Sequence, residues 1–323
     1  MKYFVVSDIH SFAMELIEAL NKAGFRKSNK EHVLIVCGDI FDRGTETMEV
    51  YKFLKSIPKK RCILIKGNHE SLYFDLLKKS FPDSYDFSNH TVDTFCHIAG
   101  YSAEIMEPSY WYKLQEQNVH ERISQTWKEI VKEVKDSPVT AWLKSAQWKN
   151  YYELDKYIFV HSFIPVKIQE KYAAVEAMYG TYNLSGKAFE YWADWRNAND
   201  YAWEEASWGD PIDRYLCELF KPESDNGKVL VVGHWHTGDF YSRISNIRSY
   251  DEPIHEIWFG KDFIGLDGGV FRDAITRKYI HPQNVLVIDS DDFSVCHDKY
   301  GAELQPVKSV RRIETVTITD EKE

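Results

Sequence analysis

Five short clusters gather residues that could do chemistry together: Asp8 and His10 in SDIHS, Asp39, Asp42 and Arg43 in GDIFDRG, Asn68, His69 and Glu70 in GNHE, His161 in VHSF, and His234 with His236 in GHWHTG. Every donor in the set is a carboxylate or amide oxygen or an imidazole nitrogen, and none is sulfur. Such donors suit hard or borderline divalent ions such as manganese, iron(II) or zinc. On an extended backbone, side chains at i and i+2 point to the same side, so His234 and His236 would face one point while Trp235 faces the other. Taken singly, each residue has an ordinary explanation: Asp8 as a helix cap, Asn68 in a turn, His10 and His161 as packed histidines. Five such clusters in sequence make coincidence a poor account.

The elements that would carry them are readable from periodicity. KYFVVSD is a short apolar run, AMELIEALNKAGF has helical spacing closed by Gly24, and HVLIVCGD is a second buried strand; TMEVYKFLKSI is a helix stopped by Pro58, and RCILIKGNHE a third strand. This βαβαβ order predicts neighbouring parallel strands with right-handed crossovers, and open α/β sheets gather ligands at the carboxyl ends of their strands. From Ser71 to Asn150 helical pieces such as SLYFDLLKKSF and HERISQTWKEIVKEVKD replace strands, which reads as a helical insertion or cap. An aromatic-rich stretch follows from about residue 165 to 226, dense from Tyr179 to Trp208, and is read as packing rather than as a base-stacking platform. Strands return in KYIFVHSF, KVLVVGHWH, DFIGLDGG and QNVLVIDSD, and RRIETVTITDEKE reads as an edge strand with a frayed tail. The whole of 1–323 is expected to be one domain carrying these two insertions.

In order and spacing the clusters resemble the calcineurin-like metallophosphoesterase superfamily, and within it the phosphoprotein phosphatase (serine/threonine phosphatase-like) branch: D-x-H, GD-x-x-DRG, GNHE, a lone strand-end His and a late GH. GDIFDRG and GNHE are the specific blocks. The resemblance implies an α/β fold, a β-sandwich flanked by helices, with two divalent metal ions along one edge. Manganese heads the candidates, with iron, zinc or nickel as alternatives. It would place one ion on Asp8, His10 and Asp39, and the other on Asp39, Asn68, His161 and His234. Asp39 would bridge them, and in-line attack on phosphorus by a metal-bridging hydroxide would follow. His69 inherits the role of proton donor to the leaving group, Asp42 that of its orienting carboxylate, and Arg43, with Asn68, contact to the phosphoryl oxygens. Glu70 has two readings, a partner of a metal ligand or a carboxylate at a helix N-terminus. Asp267 in IGLDGG is given a structural role first, and Arg196 and Arg214 are candidates for a second phosphate-clamping arginine near the WGDP stretch.

The chain also departs from that branch. Ser11 and Ser162 stand where glycines are usual, which would narrow the pocket, and the late motif has a second histidine. In broader metallophosphoesterases, including many phosphodiesterases, that histidine completes the Asp8 and His10 site, so His236 is a candidate ligand. The leading reading is hydrolysis of phosphomonoesters on a phosphoprotein or small phosphoester. A phosphodiesterase, nuclease or dinucleoside polyphosphate hydrolase is the alternative, and a non-catalytic metal-binding scaffold the alternative of another class. The remaining histidines, His32, His90, His97, His120, His255, His281 and His297, are read as solvated or packing residues.

Composition narrows the setting. With 44% apolar residues the chain can bury a large core, and it has no apolar run long enough to span a membrane. A net charge of -10 disfavours nucleic acid and anionic lipid as partners of the whole surface. Five scattered cysteines without a CxxC fit reduced thiols, and with no secretion signal at the start the expected location is cytoplasmic.

Overall fold

A computed structural model describes residues 1–247, 254–272, 279–281, 283–290 and 310–311. The apolar runs form two five-stranded sheets. In the first, the order is Val310–Arg311, Leu286–Asp289, Lys2–Val6, His32–Cys37 and Cys62–Ile65. Its last three strands are parallel, as the βαβαβ reading requires, with Val5 beside Ile35 and Val36 beside Leu64. The second sheet runs Tyr152–Glu153, Tyr157–Phe159, Val229–Val232, Phe263–Gly265 and Trp258–Phe259, and its three central strands are again parallel.

The strands face a core on both sides, which is why they read as continuous apolar runs rather than alternating ones. Val5, Ile35, Cys37 and Ile65 of the first sheet meet Phe159, Val231 and Ile264 of the second, and this contact makes the sandwich. Their neighbours Phe4, Val6, Leu34 and Val36 point the other way, toward helices. Ala13–Lys22 and Thr47–Lys55 cover that outer face, and the first of these ends where expected: Gly24 adopts φ +88°, and the Phe25 N–H reaches the Leu20 carbonyl at 2.8 Å.

The helices between residues 68 and 145 join the same core rather than standing apart from it. Val119–Asp136 carries Ile123, Trp127, Ile130, Val131 and Val134 on one face, and the fully buried Trp127 ring stacks on Phe95 of helix Thr91–Ile98 at 5.7 Å. Ser137 then ends it and caps Pro138–Ser145, its hydroxyl accepting the Thr140 N–H at 3.1 Å. The aromatic-rich stretch covers the outer face of the second sheet, where its Phe189, Trp195 and Trp203 join Phe163 and Phe240 in one core with Ile158, Leu230 and Val232. Packing thus explains most of those rings, although Tyr179 is exposed. Val310–Arg311 is an edge strand, and the tail beyond it lies outside the described residues. Among the described residues no helix is long and apolar enough to cross a membrane, and Cys37, Cys62, Cys96 and Cys217 are free thiols; Cys296 lies outside them.

Candidate metal centre

Six parallel strands, three from each sheet, end at one edge of the sandwich, and each is followed within a few residues by a polar side chain: Asp8, Asp39, Asn68, His161, His234 and Asp267. The backbone must turn sharply there. Asp8, His10, Ser11, Asp39, Asp42, Arg43 and His234 all take left-handed conformations, with φ between +47° and +74°. Such strain in residues other than glycine concentrates at functional sites. Gly67 keeps the turns close, since a Cβ there would lie 2.7 Å from the Asp39 nitrogen and strike its carboxylate.

Asp39 is the centre of the arrangement. One of its oxygens lies 3.7 Å from His10 Nε2 and 3.8 Å from His69 Nε2, and the other lies 3.4 Å from His161 Nε2. His161 Nε2 is in turn 2.8 Å from Asn68 Oδ1 and 3.2 Å from His234 Nδ1. Two trios therefore share Asp39 and could each hold an ion: His10, Asp39 and His69, and Asp39, His161 and His234. Asp8 joins the edge by accepting the His234 N–H at 2.9 Å, with its other oxygen 4.0 Å from His10 Nε2.

The donors are presented as ligands would be. His10 and His161 direct Nδ1 to the carbonyls of Phe41 and Cys37 at 3.0 and 2.8 Å, which orients Nε2 of both into the cluster. His10 Nε2 is buried and has no hydrogen-bond partner, an unsatisfied atom that a cation would satisfy. Electrostatics points the same way. Burial, then the charges of Asp267 and Asp39, push the Asp8 carboxyl well up, while burial and Arg43 press His10 well down. Burial and the neighbouring His161 hold His234 at about 3, so it presents a neutral imidazole. Burial would raise Asp39 too, but His161, His69 and His10 overcome it and keep this carboxyl low. The residues present therefore fit hard or borderline divalent ions.

His69, a member of the first trio, is also paired with Asp42. His69 Nδ1 lies 2.6 Å from Asp42 Oδ2, which leaves Nε2 facing Asp39. Burial lowers the proton affinity of His69, yet Asp39 and Asp42 more than offset this and raise it. Arg43 is exposed next to this pair, close enough for its charge to act on His10, His69 and His90.

Glu70 has a definite place: Oε2 accepts the N–H groups of Gly67 and Asp39 at 2.7 and 3.1 Å, and Oε1 that of Ile40 at 2.9 Å. It ties two motif loops together while also heading helix Asn68–Leu76. Asp267 accepts the Gly269 N–H at 2.7 Å and adds its charge to Asp8. Arg196 is committed elsewhere, to Glu153 and Asp225 at 2.6 and 2.7 Å. Arg214 is buried beneath Gly209 among Phe163 and Phe189, with Nη1 unpartnered. The hydroxyls of Ser11 and Ser162 are turned onto Thr47 and the Gly209 carbonyl.

The continuous extended backbone expected from His234 to His236 does not form. The strand ends at Val232, and His234 sits at φ +67°, so the premise of an extended backbone fails between the two histidines. His236 precedes helix Thr237–Arg243, its side chain is 54% exposed, and its Nε2 lies 3.9 Å from Asp267 Oδ2. Of the remaining histidines, His32 accepts the Arg26 N–H, His90 pairs with Asp93 and His255 bonds the Gly268 carbonyl; His297 and the side chain of His281 lie outside the described residues.

Three contributors carried no sequence signal. Thr91 and Thr94, in the helical stretch, donate their hydroxyls to Asp42 at 2.9 and 2.6 Å. Tyr85 of the same stretch lies 6.2 Å from Trp208, whose ring stands perpendicular to His234 at 6.3 Å, so the two inserted segments meet beside the cluster.

Comparison with known proteins identifies the family. Residues 1–238 match the profile of the calcineurin-like phosphoesterases. The chain is 29% identical over 85 residues to an asymmetrical bis(5'-nucleosyl)-tetraphosphatase of Bacillus velezensis, covering 24% of this chain and 34% of that protein. It is 36% identical over 70 residues to a symmetrical bis(5'-nucleosyl)-tetraphosphatase of Buchnera aphidicola, covering 22% and 24%. The matched segments thus span about a third or less of these relatives. Among solved structures, a cold-active protein tyrosine phosphatase superposes with a TM-score of 0.46 at 15% identity over 90% of this chain and 74% of the other. A serine/threonine phosphatase of Saccharomyces cerevisiae gives 0.45 at 14% over 97% and 82%. With two sheets delivering the ordered motifs to one edge and the profile spanning most of its length, the chain belongs to the calcineurin-like phosphoesterase family.

Proposed function

We propose that this protein is a dinuclear-metal phosphatase that hydrolyses phosphomonoesters in the manner of the serine/threonine phosphatase branch. The carrying observation is the Asp42–His69 pair, whose free Nε2 lies 3.8 Å from the shared ligand Asp39. Two divalent cations, manganese being the first to try, would supply charge neutralisation for the phosphoryl oxygens and a nucleophile generated from water. Asp8, His10 and Asp39 would hold one, and Asp39, Asn68, His161 and His234 the other.

The chain's own groups do the rest. Asp42 fixes the His69 tautomer by accepting from Nδ1, so the second proton resides on Nε2, where it can pass to the departing oxygen. Arg43, exposed beside that imidazole, presents a planar fork to the phosphoryl oxygens. Asn68 would help orient them. Glu70 holds the loops of Asp39 and Gly67 in register.

A second reading is hydrolysis of dinucleoside polyphosphates, because the named relatives are tetraphosphatases. The 54% exposure of the His236 side chain weighs against a diesterase with an extra ligand. The test is metal-dependent turnover of p-nitrophenyl phosphate, its bis-aryl diester and a dinucleoside tetraphosphate. The monoester should be preferred and Asp39→Asn should abolish turnover. Unchanged activity in that variant sinks the proposal, and preference for the tetraphosphate selects the second reading.

A further inference from the structure

Helix Thr91–Ile98 belongs to the helical stretch whose sequence suggested only an insertion, yet its first turn reaches the catalytic edge. We propose that Thr91 and Thr94 are positioning residues for proton delivery, holding the Asp42 carboxylate so that His69 points at the leaving oxygen. This inference rests on the reading of His69 as the proton donor. Thr94 makes two bonds to one residue: its hydroxyl donates to Asp42 Oδ1 at 2.6 Å and accepts the Asp42 N–H at 3.0 Å. Thr91 donates to Oδ2 at 2.9 Å, the oxygen that also receives His69 Nδ1–H at 2.6 Å. Both threonines are fully buried, and Asp42 and His69 nearly so.

Geometry gives these hydroxyls more to do than satisfy a buried charge. Asp42 sits at φ +74°, a strained conformation that persists only where surrounding groups hold it, and the Thr94 hydroxyl is one of them, accepting the Asp42 N–H. A carboxylate offers about four acceptor positions, and three are filled here by groups from two helices, Thr91–Ile98 and Asn68–Leu76, which fixes its rotation. Threonine is β-branched and restricted to few χ1 rotamers in a helix, so the helix that carries each hydroxyl narrows where it can point, and the bond to Asp42 selects among them. That helix is immobilised in turn: Val92, Phe95 and Cys96 are fully buried, and Phe95 is held between Trp127 at 5.7 Å and Tyr73 at 5.0 Å. The insertion therefore sets the aim of the proton donor without touching substrate.

The experiment compares kcat/KM for aryl phosphates whose leaving groups run from p-nitrophenol to phenol, using full-length, metal-loaded protein. Proton delivery matters more as the leaving group becomes more basic. Thr94→Val should therefore lose about threefold on p-nitrophenyl phosphate and about thirtyfold on phenyl phosphate, part of the 10²–10⁴ that general acid catalysis supplies. Thr94→Ser, which keeps the hydroxyl, should restore most of both. A loss equal for all leaving groups, or no loss, overturns the assignment. His69→Asn is run beside them. If its loss fails to grow with leaving-group basicity, the proton-donor reading itself falls; if it grows and that of Thr94→Val does not, only the threonine assignment falls. Melting temperature and metal content check each variant's fold, and should Thr94→Val fail to fold, the pair Thr91→Val and Thr91→Ser is read by the same criterion.

Discussion

Replacing Glu70 with glutamine separates two accounts of one buried carboxylate. If Glu70 only complements the dipole of helix Asn68–Leu76, losing its charge costs about 0.3–1 kcal/mol. The structure gives it more: three backbone N–H groups, from Gly67, Asp39 and Ile40, converge on its two oxygens. Glutamine has a single oxygen. With that oxygen kept on the Gly67 and Asp39 side, its NH₂ faces the Ile40 N–H, donor against donor, at a site only 4% exposed. A buried donor left unsatisfied costs about 1–3 kcal/mol, and the two remaining bonds fall from charged to neutral strength, roughly 1 kcal/mol each. Burial and the charge of Asp39 already push the Glu70 carboxyl up, so removing its charge recovers part of this. The expected net loss is about 2–3 kcal/mol, read from urea denaturation of metal-free protein near neutral pH. Because the Asp39 loop is what Glu70 holds, metal affinity by calorimetric titration should weaken about 10–100-fold. A loss below about 0.5 kcal/mol with unchanged metal affinity would refute the anchoring argument.

Three further outcomes are expected. His234→Ala should lose one of two bound ions by elemental analysis, whereas His236→Ala should keep both; loss of an ion from the latter would put His236 back among the ligands. Gly67→Ala removes no donor, yet its Cβ would press on Asp39, so the variant should fold and bind metal at least about tenfold more weakly; wild-type binding would show that the close approach is unimportant. In metal-free protein, His234 titrates at about 3 when folded against 6.5 when unfolded. Stability from its neutral form is complete above pH 6.5 and is lost as pH falls toward 3, because the unfolded chain takes up the proton first. Between pH 7 and 5 wild-type protein should therefore lose about 2 kcal/mol more than His234→Ala, and equal losses would contradict that depressed value.

Much of the site was legible because its chemistry is local. Asp8, Asp39 and Asn68 each lie just past an apolar strand, and the parallel order of those strands follows from βαβαβ periodicity, so the sequence places three corners of the cluster without any long-range contact. His161 and His234 were readable only as members of an ordered set, since a lone strand-end histidine has no signature. For His236 the geometric premise was the weak point: i, i+2 reasoning holds only while the strand continues, and here it stops at Val232 and turns left-handed at His234. Thr91 and Thr94 were invisible because their bonds to Asp42 cross 49 and 52 residues, and buried threonines at helical spacing have many ordinary uses. Arg214 likewise carried no sign that its guanidinium would be buried among Phe163, Phe189 and Gly209.

The left-handed backbone at Asp8, His10, Asp39, Asp42, Arg43 and His234 sets a direction for how this protein can change. Each such residue costs of order 1 kcal/mol that glycine at the same position would not. Foldability and chemistry therefore pull these positions apart: substitutions that relax the turns would yield sturdier chains emptied of their ligands. Selection for thermal robustness alone would drift toward an inert scaffold of the same shape, and only selection for turnover keeps the edge under tension.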